Sequence, residues 1–295
     1  MQTLDAPLKW HGGKAYLANR IVGLMPPRCK NPNAPAPEDP GWLHYVEPYF
    51  GGGSVMLAMD PEGISEVAND INLGLTNLWR VLSLPAPFEM FQRRVEATPF
   101  SEVLFDVTEI AKELKYPGSG TPEENSVNAA YSFFISCRQS LAGRMDSFSP
   151  LSKSRTRRGM NEQASAWLNA VEGLPAVHAR LKRVAILNQT ALQVIKKQDG
   201  PRTLFYLDPP YLHETRATTG EYQHEMSAED HGQLLLSLST IDGRFLLSGY
   251  RSDLYDQFAE RYGWHRTDFE LPNNAAGGKE KRWMTECVWT NFKPD

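Results

Sequence analysis

Residues 203 to 215, TLFYLDPPYLHET, end an apolar stretch with an acid, two prolines and a tyrosine. Asp208 stands at the tip of a segment as apolar as any in the chain, which turns its carboxylate toward a cleft rather than bulk water. Pro209 and Pro210 fix the backbone and remove two amide donors, so carbonyl oxygens are the local polar groups. Such a place accepts hydrogen bonds and donates few. A flat amine like the exocyclic group of adenine matches it: one N–H for the Asp208 carboxylate, the other for the Pro209 carbonyl, and the Tyr211 ring to stack on.

Upstream, EPYFGGGS places Gly51, Gly52 and Gly53 between a strand and a helix, where a backbone can approach a ligand closely. Asp70 follows roughly twenty residues later at the tip of the next strand, the position from which an acid binds a ribose hydroxyl. A nucleoside ligand fits these parts, and a nicotinamide cofactor would use similar ones. In LKWHGGK, Gly12 and Gly13 allow a tight turn that brings Lys14 to a carboxylate.

These residues need strands to carry them. WLHYVEPYF reads as a strand running into the glycine turn and the helix SVMLAM; ISEVAND is a second strand and LTNLWRVL a helix. The alternation returns after residue 184, with strands VAILN, RTLFYLD, RFLLSG, WHRTDFE and ECVWTNF and helices ALQVIKK, SAEDHGQLLLSLS and SDLYDQFAER between them. Alternating units of this kind predict an α/β chain with a parallel sheet. Between them the pattern is helical: Val127, Ala130, Tyr131, Phe134 and Ile135 share one helix face, and MNEQASAWLNAVEGL and AVHARLKRV are helical too. The chain thus reads as a catalytic domain, residues 1–84 and 185–295, interrupted by a helical insert, 85–184. KYPGSGTPEEN and a basic loop punctuate the insert, and six prolines keep residues 26–40 irregular.

With 295 residues and 41% hydrophobic composition the chain can bury a large core without disulfides. Cys29, Cys137 and Cys287 lie far apart, and the seven histidines have no ligand spacing, so neither disulfide nor metal is expected. No apolar run of about 18 residues occurs and the first residues lack a leader pattern, which predicts a cytoplasmic protein without a membrane partner. A net charge of −4 argues against indiscriminate binding to polyanions. Locally, however, Arg144, Lys153, Arg155, Arg157 and Arg158 face one acid, Asp146, across fifteen residues, a charge pattern that can follow a phosphate backbone or simply line a solvated loop.

In this order and with a large insert between the third and fourth, LKWHGGK, YVEPYFGGGSV, NDIN and LDPPY resemble the motifs of Dam-type DNA adenine methyltransferases over nearly the whole chain. The resemblance implies a Rossmann-like methyltransferase sheet, mostly parallel with an antiparallel last strand, and an inserted target-recognition subdomain. It implies S-adenosylmethionine as cofactor, with Trp10 and Lys14 contacting it, Asp70 and Asp208 beside it, and Glu47, Phe50, Gly51 and Gly53 shaping its pocket. It implies double-stranded DNA as substrate, with the adenine flipped out onto Asp208, Pro209, Pro210 and Tyr211. Within the insert, Arg138, Arg144, Lys153, Arg155, Arg157 and Arg158 are the candidate DNA contacts, joined by Arg216 and Lys279 from two later loops. Relatives that recognise GATC carry an asparagine-rich, Pro-Tyr-Gly type segment that this chain lacks, so the target motif stays open, as does the oligomeric state. A cognate restriction enzyme and a bacterial or phage-infected host fit the same resemblance. Two other readings use the same residues: methylation of a cytosine or RNA amine, and a silent module that binds cofactor and DNA.

Overall fold

The computed structural model describes residues 3–10, 12–106, 121–212, 225–272 and 283–294. The chain forms two compact units: Met1–Asn19, Gly51–Asp60 and Asn72–Asn188 make the first, and Arg20–Phe50, Pro61–Ile71 and Gln189–Asp295 the second. Its elements begin with α1 (Ala18–Gly23), β1 (His44–Glu47), α2 (Ser54–Ala58), β2 (Ser65–Asn69), α3 (Leu73–Ser83) and α4 (Pro85–Glu96). There follow α5 (Pro122–Gln139), β3 (Thr156–Arg157), β4 (Met160–Asn161), α6 (Glu162–Leu181), β5 (Val184–Leu187) and α7 (Ala191–Gln198). The chain closes with β6 (Thr203–Leu207), α8 (Ala228–Leu238), β7 (Arg244–Gly249), α9 (Asp253–Tyr262), β8 (His265–Pro272) and β9 (Trp283–Thr290).

In the second unit, strands lie in the order β2-β1-β6-β7-β9-β8. The first four are parallel, with Val46 opposite Val67 and Phe205, and Leu207 opposite Leu247. β9 runs antiparallel to both β7 and β8. This is the expected α/β arrangement of a mostly parallel sheet with an antiparallel last strand. Every residue of β6 is buried, as parallel strands covered on both faces require. Helix α8 shows how the coverage arises. His231, Leu234, Leu235 and Leu238 recur at three- and four-residue spacing and are buried, while Ser227 and Asp230 form a capping box at its start. The proline-rich excursion is irregular as expected, and the Asp39 carboxylate ties it by accepting the N–H groups of Lys30 and Asn31, each at 2.6 Å. Those backbone donors, Asn31 first, hold Asp39 down at about 2.

Helices dominate the first unit. The Phe134 ring on α5 lies 5.5 Å from Phe91 on α4 and 5.5 Å from Trp167 on α6, whose indole N–H donates to the Thr98 carbonyl at 2.7 Å. Three local expectations need correction. TPEEN, expected to be part of a turn, begins α5: Thr121 and Glu124 form a reciprocal capping box and Pro122 sits in the first turn, where its missing N–H costs nothing. The two helical segments either side of Pro175 are one helix, α6, whose buried face, with Trp167, Val171, Leu174 and Val177, offsets the internal bond that the proline removes. The basic loop contains a β-hairpin, β3 against β4, closed by Arg158 and Gly159 with φ of 55° and 73°. Among the described residues no helix is long and apolar enough to cross a membrane.

Candidate active site and DNA-binding residues

Parallel strands end on one edge, and in the second unit that edge is acidic. Glu47 closes β1, Asp70 follows β2, and Asp208 follows β6, placing three carboxylates at neighbouring strand ends. Glu47 is buried and accepts the Tyr45 hydroxyl at 2.7 Å from the same face of its strand, so the phenol is pushed well above its ordinary range by burial and then by this charge. Asp70 and Asp208 are half-buried. The Asp208 charge is felt by two buried phenols, Tyr211 and Tyr255, both raised first by burial.

Asn69 fixes the geometry of this edge. Its amide donates to the carbonyls of Pro48 (2.9 Å) and Gln189 (3.0 Å), while its side-chain oxygen accepts the Gln189 N–H at 2.9 Å. Its own carbonyl takes the Phe50 N–H at 2.8 Å. One buried side chain thus holds the chain leaving β1 beside the acid-bearing end of β2. Pro209 and Tyr211 are buried and Pro210 is half-buried. The Tyr211 hydroxyl donates to Glu286 on β9, and its ring meets Tyr250 edge-on with centroids 4.7 Å apart.

In the first unit the two glycine segments meet through Trp10. A Cβ on Gly52 would lie 2.8 Å from the Trp10 Cβ, and one on Gly51, where φ is +49°, would lie 2.9 Å from the indole Nε1. Only glycine admits this approach. Trp10 also stacks on Phe133 of α5, with centroids 6.2 Å apart and planes at 27°. Lys14 is buried and donates from Nζ to the Gly12 carbonyl at 2.8 Å.

Further along this unit lie two half-buried cations. Arg138, at the end of α5, donates from Nη2 to the Ala166 carbonyl at 2.6 Å and leaves its buried Nε without an acceptor. Lys9 is its neighbour. Lys9 Nζ donates to Gln163 at 3.1 Å, and its carbonyl accepts the Cys137 thiol at 3.1 Å. Among the described residues neither cation meets a carboxylate. Burial first, and the Arg138 charge second, bring the Lys9 ammonium down to about 8.

The model of the D12 class N6 adenine-specific DNA methyltransferases matches residues 10–268. This chain belongs to that family. It is therefore an adenine-specific DNA methyltransferase. It is similar to the type II methyltransferase M1.LlaDCHI of Lactococcus lactis subsp. cremoris, 24% identical over 96% of this chain and 94% of the relative. It is also similar to the type II methyltransferase M.MjaIII of Methanocaldococcus jannaschii, 23% identical over 97% and 98% of the two chains.

Within this methyltransferase the residues singled out from the sequence fall into groups. Glu47, Phe50, Asp70, Asp208, Pro209, Pro210 and Tyr211 lie at strand ends of the second unit, while Trp10, Lys14, Gly51 and Gly53 belong to the first. Of the basic residues, Arg144, Lys153, Arg155 and Arg157 are exposed, Arg157 on the hairpin and Arg155 just before it, 3.8 Å from Glu162. Arg158 forks onto Glu172 of α6 at 2.9 and 3.0 Å. Arg216 and Lys279 lie outside the described residues. Sequence reasoning missed Lys9, Asn69, Phe133 and Glu286. Asn69 and Lys9 lie inside two of the motifs, NDIN and LKWHGGK, whereas nothing in the local sequence marks Phe133 or Glu286.

Proposed function

We propose that the protein transfers a methyl group from S-adenosylmethionine to the N6 amine of an adenine flipped out of duplex DNA. The observation that carries this reading is the acidic strand edge of the second unit, Glu47, Asp70 and Asp208, in a chain of this family. The donor set suits the cofactor: Asp70 accepts from ribose hydroxyls, Glu47 from an ammonium, and the buried Lys14 ammonium pairs with a carboxylate. Trp10, Phe50, Gly51 and Gly53 offer flat or side-chain-free surface for the adenosine. When bound, this cofactor supplies a sulfonium-activated methyl.

The chain's own part is to hold the amine. An adenine amine is a weak nucleophile because its lone pair is delocalised into the ring. Hydrogen bonds from its two N–H groups to the Asp208 carboxylate and the Pro209 carbonyl favour a pyramidal nitrogen and stabilise the positive charge that develops on it. The methyl that this nitrogen takes up would come from the cofactor held by Glu47, Asp70 and Lys14, and the proton the nitrogen then sheds would pass to solvent. Tyr211 lies beside the base, and stacking there offsets part of the few kcal/mol that base flipping costs. Residues 85–184 read the target, with Arg144, Lys153, Arg155 and Arg157 on phosphate or base edges and the Lys9–Arg138 pair as a further phosphate contact. The named relatives support a role as the modification partner of a restriction enzyme.

Incubating the protein with methyl-labelled S-adenosylmethionine and duplex DNA, then separating the nucleosides by mass spectrometry, tests this. Label in N6-methyladenine is expected. Label in a cytosine product, or none despite cofactor binding, overturns the reading.

A further inference from the structure

Strand β9 runs against its neighbours, and this direction gives it access to the acidic edge. β6 and β7 are parallel and end there, at Leu207 and Gly249. Gly249 is opposite Cys287, so the residue before Cys287, Glu286, lies beside the chain that leaves β7 toward Tyr250. A parallel strand would bring a glutamate there only at its own carboxyl end. Glu286 comes from within a strand and is 2% exposed, fixed on both sides by the ladder that pairs it with Phe269. Its carboxylate accepts the Tyr211 hydroxyl, and the Tyr211 ring abuts Tyr250 at 71°.

We propose that Glu286 is a positioning residue: by holding the Tyr211 hydroxyl from β9, it sets the angle of the ring next to Asp208 and so the surface on which the target base stacks. This rests on the reading that the base binds at Asp208. Two contacts of different kinds define the ring, a hydrogen bond at its tip and an edge-on packing contact along its side. The hydrogen bond adds at the tip an angular restraint that packing along the side does not supply. The phenol is held well above its ordinary range, by burial first, then by the charges of Asp208 and Glu286, so it remains a donor throughout the working pH range. The reactive geometry tolerates little displacement, and a base offset by about 1 Å from the methyl donor reacts far more slowly even when bound as tightly.

The experiment is a mutant cycle on the full chain with Tyr211→Phe, Glu286→Ala and their combination, plus Glu286→Gln, reading kcat, KM for DNA and cofactor affinity separately. Tyr211→Phe removes only the bonded hydroxyl and is expected to lower kcat by about tenfold or more, with cofactor affinity within about twofold of wild type. Glu286→Ala should match it, and the double variant should be no slower than either single, because all three lack the same bond. Glu286→Gln retains an acceptor oxygen and should recover most of the rate. Additive losses in the double variant, or a Gln variant as slow as the Ala variant, overturn the proposal. Where Glu286→Ala fails to fold, Tyr211→Phe decides: a kcat within about twofold of wild type overturns it. Asp208→Ala separates the two failures. If that variant still methylates adenine at the wild-type rate, the site itself is misassigned; if it is inactive while Tyr211→Phe is not impaired, only the role of Glu286 falls.

Discussion

Lys9 loses its charge within reach of ordinary buffers. Its ammonium is held at about 8, against 10.5 for an ordinary lysine, by burial and then by Arg138. If the pair binds phosphate, affinity for duplex DNA falls as pH rises above about 8, and Lys9→Arg, which stays charged, removes that dependence. Fluorescence anisotropy across this range checks it; an unchanged profile in Lys9→Arg removes Lys9 from the contact. Stability carries the opposite sign. The folded pKa lies below the unfolded one, so unfolding takes up a proton between about 8 and 10.5, and the Lys9 contribution to stability rises across that window. At this scale the sequence revealed residues whose chemistry is local. Asp208 stands out because prolines follow it and apolar residues precede it. Glu286 does not, because its partner Tyr211 is 75 positions away and only strand pairing brings the two together.

At the scale of elements, Asn69 shows how a strand end is made precise. Replacing it by Ala removes three side-chain hydrogen bonds and leaves two carbonyls and an N–H of Pro48 and Gln189 without these partners. Asn69→Ala is expected to lower stability by about 2–4 kcal/mol, measured by urea unfolding, because buried groups stripped of their partners cost more than a hydrogen bond returns. A change below about 0.5 kcal/mol would show that the clamp is replaced by other contacts. The longer helices of the α/β part were legible from their spacing, and its short strands from apolar runs bounded by turn residues. What the pattern missed were short-range backbone features. The hairpin strands have two residues each, too few for any period, and their signal is only the Arg158-Gly159 turn. Pro175 and the TPEE start of α5 were misread for the same reason: proline marks a break only where packing and capping do not absorb it.

For the molecule as a whole, charge is unevenly placed. The chain has a net charge of −4, yet residues 144–158 of the helical unit hold five cations against one acid, while Glu47, Asp70 and Asp208 stand at neighbouring strand ends of the other unit. The family was legible because four motifs occur in order, and the matched residues 10–268 take in all of them except Leu8 and Lys9 of the first. The two compact units were not, since each is assembled from three separate segments and no linker marks their boundaries. The central claim is that the Asp208 carboxylate at the end of β6 grips an adenine amine, and single-molecule sequencing of DNA from cells expressing the wild type or Asp208→Ala tests it most directly. Methyladenine in one short motif with the wild type, and none with a stably folded Asp208→Ala, is the predicted result; equal marks from both would contradict it.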